Sequence, residues 1–327
     1  MNDKVTNKRP LVTFVIFAYN QEQYIREAVE GAFSQTYEPL EIILSDDCST
    51  DRTCEIMQEM AAAYDGPHKV RVLWNEVNLG LAGHINSIVA SANGHIVCWA
   101  AGDDISVPQR TEILAKPMIE NADTVGVHST VREIDLSSKL GEIRQHGEHV
   151  RNLTLDSIIQ NGGGVVSQAH AFRKVVFEEF GPLQRHLTNE GPAMAFRELL
   201  LGDVTYISEP TVLYRIGSGV STYAGRDMHL LKSLEPIKYS KWRLTAVQQM
   251  LTDLQKHKPP NYGEILIKLS KRERYFQNLL NINKKNKILH SLISNIFLVG
   301  FDRASIRAFV RVICPNSIYA LFTSIRA

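Results

Sequence analysis

The stretch Glu41-Ile-Ile-Leu-Ser-Asp-Asp47 ends an apolar run with two acidic residues, and His95-Ile-Val-Cys-Trp-Ala-Ala-Gly-Asp-Asp104 repeats the arrangement. Each apolar run is typical of a strand buried on both faces. Each acidic pair therefore follows the carboxyl end of a strand, the edge of an open parallel sheet where ligands bind. Four carboxylates gathered there favour a bound cation, and their hard oxygen atoms suit Mg²⁺ or Mn²⁺. Alternatively, each pair caps the following helix, which explains either pair alone.

The first half of the chain alternates predicted strands with predicted helices. The strands are expected over residues 11–17, 41–45, 69–74, 95–101 and 125–131. Such alternation predicts right-handed crossovers and an α/β fold whose mostly parallel, Rossmann-like sheet is flanked by helices. Tyr19-Asn20 and Asn75 to Asn78 follow two further strands, so four strands deliver polar groups to one edge. This pattern indicates a cleft for a nucleotide.

Composition and absent motifs narrow the class of protein. The chain has 327 residues, 44% hydrophobic and 22% charged, as expected for a globular protein with one large domain plus an appendage, or with two domains. The sequence contains no GxGxxG, GxxxxGK[ST] or HExxH motif, which argues against nicotinamide, P-loop and zinc enzymes. Four cysteines form no CxxC pair, and neither an N-terminal signal peptide nor an apolar run of membrane-spanning length is evident, so we expect a cytoplasmic protein.

Four motifs, in order, resemble those of the family 2 glycosyltransferases, enzymes of the GT-A fold. The matching segments are Phe17-Ala-Tyr-Asn20 at the first strand, Asp46-Asp-Cys-Ser-Thr-Asp51 for DDGSTD, Asn78-Leu-Gly80 with Asn86 and Gly94 for NxGxxxAxNxG, and Ala101-Gly-Asp-Asp104 with Pro108 for DxDD. The resemblance covers roughly residues 10–220. It implies an inverting transfer of a hexosyl-type sugar from a nucleoside diphosphate sugar to a glycan or lipid-linked acceptor, in the synthesis of a cell-surface polysaccharide or O-antigen.

The resemblance also implies roles for individual residues. Asp47, or its neighbour Asp46, would accept a hydrogen bond from the nucleotide base. Asp103 would bind the diphosphate through a divalent metal, Mg²⁺ or Mn²⁺, with Asp104 as the second metal ligand. The remaining expected contacts to the nucleotide sugar are Ala18, Tyr19, Asn20, Asn78, Gly80 and Asn86.

Two positions depart from the family pattern. Ala101 replaces the first Asp of DxDD, and Gly191 stands where the family carries the Asp that acts as general base. Glu190 is the adjacent carboxylate and our candidate base, although a glutamate at the start of a helix is also favoured by the helix dipole. These departures leave a second hypothesis open, a catalytically degenerate nucleotide-sugar-binding or scaffold subunit. A third is a nucleotidyltransferase, which would release pyrophosphate.

The predicted domains are a GT-A domain over 1–227 and a helical, basic C-terminal extension over 228–327. Within the first, 10–131 would bind the nucleotide sugar and 132–227 the acceptor. The extension contains 17 Lys and Arg against 5 Asp and Glu, whereas the preceding residues contain 19 against 30.

Within that extension, Arg303, Arg307 and Arg311 would share one face of an amphipathic helix. Such a helix can bind an anionic membrane surface peripherally. The alternative is that it docks on the catalytic domain or on a second copy of the chain, which leaves homo-oligomerisation open. A nucleic-acid partner is not expected.

Overall fold

The computed structural model describes residues 9–218 and 236–285. The contacts divide the chain into two units. Of the described residues, the first unit contains 9–218 and 242–274, and the second contains 236–241 and 275–285. The predicted amphipathic helix with Arg303, Arg307 and Arg311 lies outside the described residues.

The first unit is built on one sheet. Its described strands are β1 (Val12–Ala18), β2 (Leu40–Asp46), β3 (Lys69–Trp74), β4 (Ile96–Ala101), β5 (Ile105–Ser106), β6 (Thr124–Ile134), β7 (Leu140–Ile143), β8 (His170–Arg173) and β9 (Asp203–Arg215). They lie in the order β3-β2-β1-β4-β8-β6-β9-β5, with β7 paired to β6. Strands β1 to β4 are mutually parallel, β6 is parallel to β9, and β8 is antiparallel to both β4 and β6. Six strands therefore run in the same direction, which confirms the predicted mostly parallel sheet.

Helices alternate with the strands along the chain, and two long helices follow the last described strand. They are α1 (Ile25–Phe33), α2 (Thr53–Ala62), α3 (Gly80–Ser91), α4 (Arg110–Glu120), α5 (Glu148–Arg151), α6 (Leu155–Asn161), α7 (Val175–Phe180), α8 (Gly191–Leu201), α9 (Pro236–Lys256) and α10 (Tyr262–Lys285). Every residue of β2 and all but one of β1 are buried, which explains the unbroken apolar runs of these strands. None of the described helices combines the length and apolar character needed to cross a bilayer.

Three further predictions from the sequence pattern differ from the structure. Asn20 is predicted to cap the first helix, but α1 begins at Ile25, and the Asn20 side chain accepts a hydrogen bond from the Thr50 backbone. The pattern of residues 171–181 predicts a helix, but residues 171–173 extend the sheet as part of β8. Residues 204–207 and 212–215 are predicted to form two strands, but both belong to the single strand β9, whose pairing with β6 shifts register midway.

The boundary predicted at residue 227 stays a prediction, but contacts show where residues 242–274 belong. They pack on the first unit, where Arg197 of α8 forms a bidentate pair with Asp253 of α9 at 2.8 and 2.9 Å. Both side chains are fully buried. Part of the predicted extension is therefore built into the unit that contains the sheet.

Candidate active site

The two acidic pairs lie on either side of the end of β1. The Asp47 backbone N–H donates to the Ala18 carbonyl at 3.0 Å, and the Gly102 N–H donates to the Phe17 carbonyl at 3.1 Å. Neighbouring strands lie roughly 4.8 Å apart, so the pairs at the ends of β2 and β4 are separated by about 10 Å. Both pairs are buried.

Asp47 organises the loop that follows β3. Its carboxylate accepts hydrogen bonds from the Asn75 side chain at 2.8 Å and from the backbone N–H groups of Leu79 and Gly80 at 2.9 and 3.0 Å. The Gly80 N–H also reaches the Asn78 side chain at 3.0 Å. Gly80 has φ +70° with open space around it, so its backbone conformation is the reason for a glycine here. Asp47, Asn78 and Gly80 thus form one cluster.

Asp46 leaves one oxygen without a partner. Its Oδ2 accepts a hydrogen bond from the Ser49 backbone at 2.8 Å, whereas the buried Oδ1 has no hydrogen-bond partner among the described residues. The loop from Asp46 to Ser49 turns at Cys48, which has φ 62° where the family motif has glycine. Asn20 joins this loop by accepting the Thr50 N–H at 2.8 Å, which places the ends of β1 and β2 together.

Asp103 and Asp104 are held by the residues that end and follow β9. Ser218 donates to Asp103 Oδ2 at 2.8 Å, and the Arg215 N–H donates to Asp104 Oδ1 at 2.9 Å. Asp104 Oδ2 is buried without a hydrogen-bond partner among the described residues. Burial raises the pKa of Asp103, and burial together with the neighbouring Asp103 charge holds the pKa of Asp104 well above its usual range.

Arg215 is a structural cation of this site. Its side chain is 1% exposed, and its guanidinium donates to the Asp103 carbonyl at 2.9 Å, to the Ser138 hydroxyl at 2.9 Å and to Glu27 at 2.7 Å. It also lies over the Tyr24 ring at 4.5 Å. Arg215 therefore holds the Asp103–Asp104 turn in place through its backbone N–H and its guanidinium.

The donor set at this turn fits a divalent ion. Within residues 9–218 and 236–285, no three His, Cys, Asp or Glu side chains cluster closely enough to hold a metal by themselves. Ions of the magnesium type need fewer, because one or two carboxylates plus substrate oxygens and water complete their coordination. The free, buried Oδ2 of Asp104 beside a second carboxylate meets that requirement. Asp103 and Asp104 are the residues that would hold the ion.

Other predicted site residues have different environments. Tyr19 directly follows β1 and is 42% exposed. The Asn86 side chain both donates to and accepts from the Leu183 backbone at 2.8 Å, so it secures the loop before α8 and does not join the acidic edge. His84 is buried 2.7 Å from the Ser45 hydroxyl, and burial lowers its pKa.

The candidate base lies at the start of α8. Glu190 is 7% exposed, and its carboxylate has no hydrogen-bond partner among the described residues. The next residue lies close to its neighbours: a Cβ on Gly191 would lie 2.9 Å from the Ser167 hydroxyl and 3.0 Å from the Val165 carbonyl. A side chain at position 191 would therefore require these neighbours to move.

One buried pair was not predicted from the sequence. His170 of β8 and Glu198 of α8 are fully buried, with Nε2 and Oε1 2.8 Å apart. The absence of a side chain at Gly126 leaves room for the Glu198 carboxylate, since a Cβ there would lie 2.1 Å from Glu198 Oε2. The only sequence signals are an isolated histidine and a glutamate in an apolar helix.

The order of the motifs, the parallel sheet and the acidic pairs at its edge together identify the family. The profile of Glycosyl transferase family 2 matches residues 13–181, just over half of the chain. The chain belongs to glycosyltransferase family 2. This match includes both acidic pairs and ends before Glu190 and α8.

Similar proteins agree with that membership. The succinoglycan biosynthesis protein ExoO of Rhizobium meliloti is 32% identical over 184 residues, which are 54% of this chain and 50% of ExoO. Across five curated relatives, the chain spans between 27% and 50% of the relative's length.

Two solved structures share the GT-A fold. S. aureus TarS, in complex with UDP-GlcNAc, superposes with a TM-score of 0.59 at 16% identity, covering 81% of this chain and 73% of that one. The mannosyltransferase PcManGT of Pyrobaculum calidifontis, in complex with GDP-Man and Mn²⁺, gives 0.53 at 15% identity, covering 97% and 84%.

Proposed function

We propose that the chain transfers a sugar from a nucleoside diphosphate sugar to a glycan or lipid-linked acceptor during synthesis of a cell-surface polysaccharide. One observation carries the proposal: two buried carboxylate pairs flank β1 at the carboxyl edge of a parallel sheet, and Asp104 keeps a buried oxygen that has no hydrogen-bond partner among the described residues. A nucleoside diphosphate has a hydrogen-bonding base at one end and an anionic diphosphate at the other. The pair Asp46–Asp47 suits the base, and the pair Asp103–Asp104 suits a metal-bound diphosphate.

The chemistry assigns a task to each group. In an inverting transfer, the acceptor oxygen forms a bond to the anomeric carbon while the bond from that carbon to the diphosphate breaks. Glu190 takes the proton of the acceptor hydroxyl, and the nucleoside diphosphate leaves. When bound, the divalent ion acts as a Lewis acid that stabilises the negative charge on the diphosphate. Arg215 and Ser218 keep Asp103 and Asp104 in place.

Nucleotide-sugar binding is tested by thermal unfolding. UDP-GlcNAc and GDP-Man, the ligands of TarS and PcManGT, are the first donors to compare, each with and without Mn²⁺. A donor at one hundred times its dissociation constant stabilises the folded state by about 2.7 kcal/mol. Catalysis is then tested as acceptor-dependent release of nucleoside diphosphate. Binding without release would point to the degenerate scaffold subunit, and release of pyrophosphate to a nucleotidyltransferase.

The first prediction concerns variants of Asp103 and Asp104, the proposed metal ligands. Asp103→Asn and Asp104→Asn are expected to abolish metal-dependent transfer, because each removes a carboxylate charge while keeping the shape of a buried side chain. Asp65→Asn, at an exposed position away from the edge, is the matched control. Circular dichroism checks the fold of all three. Full activity in both edge variants would eliminate the metal from the proposal.

The excess of basic residues in the C-terminal extension supports a second part of the proposal, that the protein binds a membrane surface. Residues 228–327 carry 17 Lys and Arg against 5 Asp and Glu, which favours attraction to anionic lipid. Replacing Arg303, Arg307 and Arg311 with Glu is expected to move the protein from the membrane to the soluble fraction, and high salt to weaken the wild-type association. Fractionation that responds to neither change would favour docking on protein instead.

A further inference from the structure

A polar cavity opens in the first unit away from the acidic edge. Its volume is about 620 Å³, and its lining comes from Thr130 of β6, from the segment 143–153 and from the residues 204–208 of β9. Ligand cavities range over roughly 300–1,000 Å³, so this one has the size of a small-molecule site. None of its lining residues belongs to the two acidic pairs.

Strand pairing places the cavity relative to the acidic edge. Ile134 of β6 pairs with Arg215, whose backbone donates to Asp104. Thr130, which lines the cavity, precedes Ile134 by four residues. At about 3.3 Å per residue the cavity is therefore displaced by about 13 Å along β6 from the level of Asp104.

A continuous chain of contacts joins the cavity wall to the start of α8. The Tyr206 ring in the wall meets the His128 ring edge to face at 5.3 Å. His128 Nδ1 accepts a hydrogen bond from the Val166 backbone at 3.2 Å, and the neighbouring Val165 N–H donates to the Gly191 carbonyl at 3.4 Å. The cavity thus shares the segment 165–166 with the helix start that carries Glu190.

The charges of the cavity are already compensated. Arg144 is paired with Glu133 at 2.7 Å, and Arg151 with Glu148 at 3.2 Å. Each cation in the lining therefore has its own carboxylate. A phosphate or another anion would have to compete with these carboxylates, so the site does not select for negative charge.

The remaining polar groups are neutral and available. The hydroxyls of Thr205, Tyr206 and Ser208 have no hydrogen-bond partner among the described residues, and neither does the buried Nε2 of His146. Burial, with the positive charge of Arg144 nearby, lowers the pKa of His146 to about 4, so its ring is neutral at physiological pH. Edge contacts with His128 and His146 hold the Tyr206 ring in one orientation. An aromatic ring with an adjacent set of neutral donors and acceptors matches a ligand that has both C–H faces and hydroxyls.

We propose that this cavity is a second carbohydrate-binding site, which holds a neutral saccharide unit of the acceptor glycan away from the point of transfer. Assigning the saccharide to the acceptor rests on the proposed transferase function, whereas saccharide binding itself does not. The segment 165–166 connects the cavity wall to the helix start that carries Glu190.

Saccharide binding is measured by saturation-transfer NMR on the full chain. The probes are the methyl glycosides of glucose, galactose, mannose and N-acetylglucosamine and their disaccharides, with inorganic phosphate as the anionic comparison. Tyr206→Ala removes the ring, and Ser208→Trp fills the cavity from an exposed position of β9 that tolerates a large side chain. Tyr262→Ala, at the start of α10, removes a partly buried tyrosine elsewhere and is the matched control.

At least one neutral saccharide is expected to bind, and both cavity variants are expected to weaken it about tenfold or more, while Tyr262→Ala leaves it unchanged. Nucleoside diphosphate should not compete, and Asp104→Asn should retain saccharide binding while losing transfer. A chain that binds saccharide through Tyr206 but never transfers sugar would contradict the proposed function alone. The proposal is overturned if every saccharide fails to bind, if phosphate binds in preference, or if both cavity variants bind as well as the control.

Discussion

Glu190 occupies the position next to the residue at which the family carries its base, and its carboxylate is nine-tenths buried without a hydrogen bond among the described residues. A general base typically contributes about 10²- to 10⁴-fold to the rate. Glu190→Gln is therefore expected to lower the maximal rate by about that factor and to leave nucleotide-sugar affinity nearly unchanged. Initial rates at saturating donor, with donor titrations by thermal shift, measure the two quantities separately.

The helix dipole supplies the competing explanation of Glu190, and a second glutamate controls for it. Glu178 lies exposed in the first turn of α7. If the role of Glu190 were only electrostatic stabilisation of α8, both Glu→Gln variants would lower stability by about 0.3–1 kcal/mol and neither would change the rate. Full activity of Glu190→Gln would assign the proton to another group.

Some site residues could be predicted from the sequence because chain order positions them, and others could not because contacts with distant residues position them. Asp46, Asp47, Asp103 and Asp104 follow apolar strands, so chain order alone brings them to one edge. Asn86 matches a family motif, yet its amide bonds to the Leu183 backbone, a contact between residues 97 positions apart. No local pattern encodes such a pairing. The same limit explains why the buried position of Arg215 was not predicted.

At the scale of elements, the packing of α8 against the segment before β8 depends on two glycines. A Cβ on Gly164 would lie 2.7 Å from the Gly191 carbonyl carbon, and a Cβ on Gly191 would lie 3.0 Å from the Val165 carbonyl. Gly164→Ala is expected to destabilise the protein by about 1–3 kcal/mol, because its Cβ would meet backbone atoms of Gly191 and Pro192, which cannot move aside as a side chain can. The free energy of unfolding in urea measures the change.

Gly263 provides the matched control for an added methyl group. It lies in α10 with nothing within 4 Å of its ideal Cβ, so Gly263→Ala is expected to leave stability unchanged or to raise it by about 0.5–1 kcal/mol. Equal effects of the two substitutions would contradict the close approach at α8. The contrast also bears on catalysis, since an aspartate at position 191 would strain this contact before it could act as a base.

Whether a segment forms a strand or a helix could be predicted where its own sequence pattern is clear. It could not be predicted where contacts with distant elements determine the conformation. Strand β3 was expected over the same residues that form it, Lys69–Trp74, because four of its six residues are apolar and two of these are valines. Strand β8 has only four residues and forms because β4 and β6 lie on both sides of it. The start of α1 shifted because Asn20 bonds to the loop after β2.

For the whole molecule, two buried glutamates give stability opposite dependences on pH. Burial alone would raise the pKa of Glu41, but hydrogen bonds from Thr13 and Asn93, with the charge of Arg71, lower it below its usual 4.5. Burial raises the pKa of Glu198 above 4.5, and His170 offsets this only in part. Folding therefore favours the ionised form of Glu41 and the protonated form of Glu198.

The signs follow from proton linkage. A lowered pKa contributes stability above pH 4.5 that is lost as the pH falls, whereas a raised pKa contributes stability below pH 4.5 that is lost as the pH rises. Glutamine resembles protonated glutamate in shape, so each Glu→Gln variant should differ least from wild type in acid. As the pH rises toward 4.5, Glu41→Gln is expected to become progressively less stable than wild type, and as the pH rises beyond 4.5, Glu198→Gln is expected to become progressively more stable than wild type. Urea unfolding of the three proteins across that range measures both trends, and a shift in the same direction for both variants would show that one of the two carboxylates has been assigned the wrong environment.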